Sequence, residues 1–427
     1  MLLGSPMSKK LDGFKELTTN KELLIYKSPD EVAIALTHGG RDVKALVNVG
    51  DEVKIGDLIA TREDFVYVPF FSPVSGTVKA IEKRASTNLK PVDHIVISNN
   101  KKEEVAELKT LDPFNATKEE IIEFIKEKGI VGCGGAGFPA YFKYNTDKCE
   151  TLIINAVECE PYITADAYMI KHHSDELLYG IKILLKVLNP KKCLIAVKEN
   201  KKEVIEVLNY TFNDQDKIEI KLLKDRYPFG WERSLVRECL HKTYTRLPIE
   251  AGAVIANATT IIKVAEAFKT GMPIIDKVIT VSGDGVKNPH NVLCKVGTSF
   301  KELIDLCGGY ALDEVTVIAG GPMMGNSLIK DDVTVTTSSN AITVLKPKEN
   351  KECACLRCGR CIEHCPSGLQ PVNIVNAFKS SNLELLQKLN INECVECGLC
   401  SFVCPSGIEV RENIRRAKKI LALKTKK

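Results

Sequence analysis

Nowhere does the chain carry the roughly 18–20 consecutive apolar residues that a membrane span requires. Met1–Lys10 reaches its first charges without an apolar core of signal-peptide length. A cytoplasmic protein is expected, with any membrane link peripheral and on the cytoplasmic face. An excess of one charge is missing too: 59 Lys and Arg face 55 Asp and Glu, for a net +4. That balance gives no ground for a nucleic-acid partner. Much of the excess sits in the tail, at Arg415, Arg416, Lys418, Lys419, Lys424, Lys426 and Lys427. A hydrophobic share of 44% and a charged share of 27% suit a soluble globular chain. Its 427 residues are enough for about two to four domains.

What the chain has in abundance is cysteine. Sixteen in a reducing compartment point to metal or redox chemistry rather than to disulfides. Eight fall into two runs of identical spacing. The first is Cys355-x-x-Cys358-x-x-Cys361-x-x-x-Cys365-Pro366 and the second Cys394-x-x-Cys397-x-x-Cys400-x-x-x-Cys404-Pro405. In each run three close thiolates can wrap one face of an iron–sulfur cube, while the fourth points away and completes the other cube. The expected ligand sets are Cys355, Cys358, Cys361 and Cys404 for one [4Fe–4S] cluster, and Cys394, Cys397, Cys400 and Cys365 for the other. Zinc ribbons, the alternative, use two CxxC pairs rather than runs of four. Cys353, just before the first ligand, is expected to be a bystander. Between the runs, Val372, Ile374, Val375 and Phe378, then Leu383, Leu385, Leu386 and Leu389, follow helical spacing. Two clusters make the chain a carrier of single electrons.

Upstream the text changes character several times. Residues 30–100 hold short apolar strands parted by Gly-Asp and Pro/Gly turns, as in Val49-Gly50-Asp51, Ile55-Gly56-Asp57 and Ser72-Pro73-Val74-Ser75-Gly76. The pattern resembles the lipoyl/biotinyl barrel-sandwich fold. That fold's carrier Lys is absent from Thr61–Phe71, so a structural or docking module is expected. Thr117, with Glu120 three residues on, predicts a capped helix through Ile125. From Thr151 strands and helices alternate: 152–154, a helix over 166–188, 194–197, a helix over 201–211, and 218–223. This predicts a mostly parallel sheet with helices on its faces. Strands at 278–283 and 315–318 around a helix at 299–306 form a further α+β module.

Gly132-Cys133-Gly134-Gly135-Ala136-Gly137-Phe138-Pro139 contains the GxGxxG spacing, but a helix precedes it and a strand follows, the reverse of a dinucleotide fingerprint. Its glycines let backbone amides approach an anion closely, and Lys143 lies within reach of a phosphate. Asn155-Ala156-Val157-Glu158-Cys159-Glu160-Pro161 follows at the end of a strand. On physical grounds alone, an anion-binding loop and a glycine-rich structural turn both stay open. His172-His173, Cys133, Cys159 and the turns at Gly283-Asp284-Gly285 and Gly320-Gly321-Pro322 are read as structural.

Gly132–Pro139 with Lys143 resembles the GRGGAGFP loop that holds FMN in the flavoprotein subunit of respiratory complex I, and Asn155–Pro161 resembles that family's NADEGEP segment. The whole layout resembles the RnfC (RsxC) family, a component of the Rnf ion-translocating electron-transport complexes. The resemblance implies a multidomain α/β chain. Its expected parts are a barrel-sandwich hybrid (1–105), a complex-I-like Rossmann-type flavin domain (112–270), a β-grasp, SLBB-like module (271–346) and a helical two-cluster ferredoxin domain (347–427). It further implies oxidation of NADH, or the reverse, through FMN, with single electrons passed on to the other components of a membrane-bound Rnf-type complex. Carried over by position, Gly132, Gly134, Gly135, Gly137, Lys143, Asn155, Glu158, Asn257 and Thr260 would hold FMN, Tyr227 would lie against the flavin site, and Glu160 and Glu232 would face NADH. Three departures stand out: Val157 in place of the family's Asp, Gly230-Trp231-Glu232 in place of a segment ending in a Gly-Glu pair, and Leu11-Asp12-Gly13-Phe14 in place of a GGIHP signature. Two other roles stay open: a soluble redox partner of a reductase such as proline or cobalamin reductase, and, through Val157 and Trp231, an iron–sulfur adaptor that never binds NADH.

Overall fold

The structure, a computed structural model, describes residues 7–349 and 351–425; Lys426 and Lys427 of the basic tail lie outside them. From Glu31 the alternating pattern forms a four-stranded sheet in the order Glu31–Ala35, Val92–Asn99, Gly76–Arg84, Glu52–Val53. It faces a three-stranded sheet of Lys44–Ala45, Leu58–Glu63 and Tyr67–Phe71. Every second side chain points inward, and Val32, Ile34, Ile59, Val78, Ile95 and Ile97 form the buried filling. The hairpin where a carrier fold would hold its lysine instead ends in exposed Phe65, whose ring packs on Phe142 of the next domain at 5.6 Å.

That next domain is built on four parallel strands in the order Ile218–Leu223, Lys192–Lys198, Thr151–Asn155, Ala253–Asn257. Three of the four are apolar at their centres because helices cover both faces, whereas the edge strand Ile218–Leu223 carries Glu219 and Lys221. Ile153, Ile154, Ile195 and Val197 are fully buried. Helix Lys118–Glu127 starts at the expected capping box: the Glu120 amide donates to Thr117 Oγ1 at 3.2 Å and the Thr117 amide donates to Glu120 Oε2 at 2.7 Å. The single helix expected over 166–188 is two helices, Ala165–His172 and Ser174–Leu188, broken at His173. Asp175 and Glu176 in the first turn of the second helix favour a new start there, because carboxylates stabilise a helix N-terminus. Gly180 lets this helix press against Ala258–Thr270, since a Cβ there would run into the carbonyl of Ile261.

The third unit is a six-stranded mixed sheet in the order Leu24–Tyr26, His290–Lys295, Asp276–Ser282, Ala341–Leu345, Thr316–Ala319, Asn326–Ser327. Helix Phe300–Leu306 packs its Phe300, Leu303 and Ile304 against it. Its edge strand Leu24–Tyr26 comes from the N-terminal segment and pairs in parallel with His290–Lys295. Upstream, Lys9 bridges to Tyr227 of the parallel-sheet domain, so the described chain crosses two other units before its barrel begins.

The cysteine-rich segment is helical, as its spacing predicts. Pro371–Lys379, Leu383–Lys388 and Val410–Thr425 enclose Ile374, Leu386, Ile391, Ile414 and Ala417. Each cysteine run carries one short helical turn, Arg360–Glu363 or Leu399–Phe402, entered through a left-handed glycine, Gly359 (φ 75°) or Gly398 (φ 79°). The two halves thus repeat one conformation.

Candidate flavin and iron–sulfur sites

Strand order fixes where a ligand can sit. From Thr151–Asn155 the chain winds outward through Lys192–Lys198 and Ile218–Leu223, then returns to lay Ala253–Asn257 on the other side. The switch point lies between Thr151–Asn155 and Ala253–Asn257, whose last residues, Asn155 and Asn257, are register partners. Open parallel sheets bind ligands there, at the C-terminal strand ends.

The glycine loop is held over this crevice. The Cys133 amide donates to Thr260 Oγ1 at 2.9 Å, and a Cβ on Gly134 would come within 2.8 Å of Asn257 Nδ2. Lys277, fully buried on the third unit, donates to the carbonyls of Cys133 and Thr337, both at 2.9 Å. Burial pushes its amine below the usual lysine range. Residues 133–136 form a turn, and among the described residues the amides of 134–137 make no hydrogen bond of good geometry to a protein acceptor. Lys143 reaches the same rim, donating to Glu232 Oε1 at 2.7 Å and to the Ile255 carbonyl at 3.0 Å. Free amides, a lysine and a wall with no room for a side chain fit a phosphate-bearing flavin laid on backbone.

The other expected contacts do structural work in this arrangement. Asn257 caps helix Ala258–Thr270 by accepting from the Thr260 amide at 3.1 Å, and donates to Asp166 at 2.7 Å. Asp166 also accepts from Thr259 at 2.6 Å, and burial raises its carboxyl. Asn155 Nδ2 donates to the Gly230 carbonyl at 2.9 Å. Glu158 Oε1 accepts the amides of Asp166 (2.8 Å) and Ala167 (3.3 Å), opening helix Ala165–His172, while Lys15 and Lys201 approach its other oxygen at 3.5 Å. Val157 is wholly buried among Ile153, Leu194 and Phe229. Its apolar side chain belongs to the core behind the strand.

Glu160 and Glu232 lie apart in kind. Glu232 is half exposed, on Lys143. Glu160 Oε2 accepts the Met323 amide at 3.0 Å and its Oε1 lies 3.4 Å from the Tyr227 hydroxyl. Burial lifts its carboxyl to about 7, against the pull of Lys15 and Arg411. Tyr227, 1% exposed, donates to the carbonyl of Cys397 at 2.7 Å. Glu160 and Tyr227 therefore stand between the crevice and the cysteine domain.

Cys365, Cys394, Cys397 and Cys400 line one cavity, so the last cysteine of the first run joins three of the second. The amides of Leu369 and Glu396 donate to the Cys365 and Cys394 sulfurs at 3.3 and 3.4 Å. Among the described residues no three His, Cys, Asp or Glu side chains converge tightly enough to hold a single metal ion. Four cysteine sulfurs around one cavity suit the corners of an iron–sulfur cube. Cys355 and Cys358 are exposed and Cys361 and Cys404 partly buried.

With this geometry in view, comparison with known proteins is direct. Four family profiles match in chain order: the RnfC barrel-sandwich hybrid domain (9–102), the Nuo51 FMN-binding domain (125–266), the SLBB domain (278–327) and a 4Fe–4S dicluster domain (354–409). A component of the proton-translocating ferredoxin:NAD(+) oxidoreductase complex of Clostridium ljungdahlii is 36% identical over 371 residues, 84% of this chain and 81% of that one. The chain belongs to the RnfC family. The sodium-translocating counterpart from Acetobacterium woodii is 32% identical, with 84% of each chain covered. The corresponding component of the Vibrio cholerae ion-translocating oxidoreductase complex is 34% identical over 88% of this chain, which spans 50% of that longer protein. Among solved structures, a chain of an NAD+-reducing [NiFe]-hydrogenase in its H2-reduced state superposes with a TM-score of 0.53 at 16% identity, covering 73% of this chain and 63% of that one. That likeness speaks to fold alone.

In this RnfC relative three supports escaped the sequence reading: Lys15, Lys277 and the Met323 amide. Lys15 donates to the carbonyls of Glu158 (3.1 Å), Glu160 (2.7 Å) and Ile163, and burial lowers its amine to about 8. It directly follows the segment standing where the GGIHP signature is expected, which is the one local signal for it. A lysine at the head of an apolar strand was the only hint of Lys277.

Proposed function

We propose that this chain oxidises or reduces NAD(H) through FMN and carries single electrons through two [4Fe–4S] clusters, as part of an Rnf-type ion-translocating complex. NAD(H) exchanges electrons in pairs as hydride, while each cluster takes one. FMN, when bound, supplies the conversion between the two. The remaining work falls to the chain. The amides of residues 134–137 and Lys143 would hold the phosphate end, with Gly132, Gly134, Gly135 and Gly137 keeping that surface bare. Asn155, Asn257 and Thr260 would fix the crevice walls, and Glu158 would hold the turn between them. Glu160 and Glu232 would border the nicotinamide side. Other Rnf subunits are the partners. No helix of the described residues is long and apolar enough to cross a membrane. Attachment would accordingly be peripheral, on the cytoplasmic face.

The single observation that supports this reading most is the free-amide loop and Lys143 at the switch point, in the same chain as two interlocked thiolate sets. Its test is anaerobic mixing of NADH with protein carrying FMN and both clusters. Rapid flavin bleaching is expected. Unbleached flavin beside intact clusters would instead make the chain an adaptor that never meets NADH.

A further inference from the structure

We infer that the two thiolate sets are unequal stations. Cys365, Cys394, Cys397 and Cys400 form the inner one, joined to the flavin domain through Tyr227. Cys355, Cys358, Cys361 and Cys404 form the outer one, where electrons leave or enter the chain. The inference rests on the function proposed above and adds an order that the sequence repeat leaves open, since the two runs have identical spacing.

The asymmetry is one of contact. Cys397 is 8% exposed and sits in an apolar cluster with Tyr227, Met323 and Leu399, against which Cys159 and Leu11 pack. Met323 belongs to the third unit and Tyr227 to the flavin domain, so three units close on this one cysteine. Gly398, next in chain, lets the turn approach so near that a Cβ would lie 2.6 Å from the Met323 carbonyl. Arg233, on the helix that Trp231 caps, pairs with Glu393 at 2.8 Å, just before Cys394.

Tyr227 ties the two domains into one path. Its hydroxyl donates to the Cys397 carbonyl, and three residues on, Gly230 accepts from Asn155 at the crevice. One short loop therefore spans from the switch point to an inner cysteine. Tyr227 and Leu399 beside it are buried outright. The outer loop is different. Cys355 and Cys358 are exposed, and Leu356 between them is 66% exposed. Its anchors run to the second cysteine run: the Cys353 amide donates to the Ser406 carbonyl and Ser406 Oγ to the Ala354 carbonyl, both at 3.0 Å.

The electron count closes. Each hydride taken from NADH brings two electrons, which cross the inner and then the outer station singly. A one-electron acceptor protein at the outer face would take each in turn, and the proton of the hydride would be released to solvent. No bond to the chain forms or breaks. Tyr227 is a positioning residue, fixing the inner station against the flavin domain.

The test uses full-length protein with FMN and clusters, and its first arm needs no nicotinamide. An iron chelator added to wild-type protein should remove about half of the iron fast and half slowly, one cluster at a time. In Cys355→Ser the remaining cluster should be wholly slow, and in Cys397→Ser wholly fast. In the second arm NADH should still reduce the surviving cluster of Cys355→Ser. The surviving cluster of Cys397→Ser should be reduced by dithionite but not by NADH. Tyr227→Phe should slow NADH reduction of both clusters and shift the midpoint potential of the slow one only. Uniform iron loss in the wild type, or the opposite assignment in the two serine variants, would overturn the order. Absent NADH reduction with the chelator pattern intact would leave the order standing and count against the NADH reading alone.

Discussion

Burying Glu160 between three units has a calculable consequence. Its carboxyl moves from an ordinary 4.5 to about 7, chiefly through burial. The groups facing it are Lys15, Arg411, the Tyr227 hydroxyl, Cys159 and the amides of Met323 and Met324. A raised acid binds its proton more tightly in the folded state. Between pH 4.5 and about 7 the folded chain therefore holds more protons than the unfolded one, and stability falls as pH rises. The contribution is fully present below pH 4.5 and lost as pH passes 7. At 1.36 kcal/mol per pH unit the displacement amounts to about 3 kcal/mol. Glu160→Gln keeps an oxygen for the Met323 amide and removes the charge. It forfeits attraction to Lys15 and Arg411, so its gain at pH 8 should be about 1–3 kcal/mol, falling to nothing near pH 5. The assay is the thermal midpoint of anaerobic holoprotein and variant from pH 5 to 8. Parallel curves for the two proteins, with the same slope, would refute the assignment of that slope to Glu160.

Other expectations concern the loop and the clusters. Lys277→Met should leave the Cys133 and Thr337 carbonyls without their buried donor, at about 1–3 kcal/mol. FMN binding should weaken as the loop loosens, measurable by recovery of flavin fluorescence on release. Gly134→Ala places a methyl against Asn257 and should abolish FMN retention while both clusters stay, as judged by iron content. Cys365→Ser should affect the same cluster as Cys394→Ser despite lying in the other run. Each should lower iron from about eight to about four per chain, and their electron paramagnetic resonance spectra should match.

Much of the architecture is legible in local pattern, and what escapes is what sequence distance hides. Alternation marks the barrel strands, and apolar runs between amphipathic helices mark the parallel sheet, because burial on one face or two leaves a periodic trace. Thr117 and Glu120 announce a helix start four residues long. The break at His173 was hidden because apolar residues on both sides fit one helical stripe. Strand Leu24–Tyr26 joins a partner more than 260 residues away, and no local signal says which sheet an edge strand will extend. The glycine loop and Lys143 could be picked out, but not that Thr260, Asn257 and Lys277 hold the loop in place. Tyr227 was expected against the flavin. Its hydrogen bond to Cys397, 170 residues on, reflects domain docking, which leaves no periodicity behind.

Everything rests on what the eight thiolates hold. Quantifying iron, acid-labile sulfide and zinc in protein purified without oxygen tests this most directly. The account predicts about eight irons and eight sulfides per chain, with no stoichiometric zinc. Zinc without sulfide would contradict it.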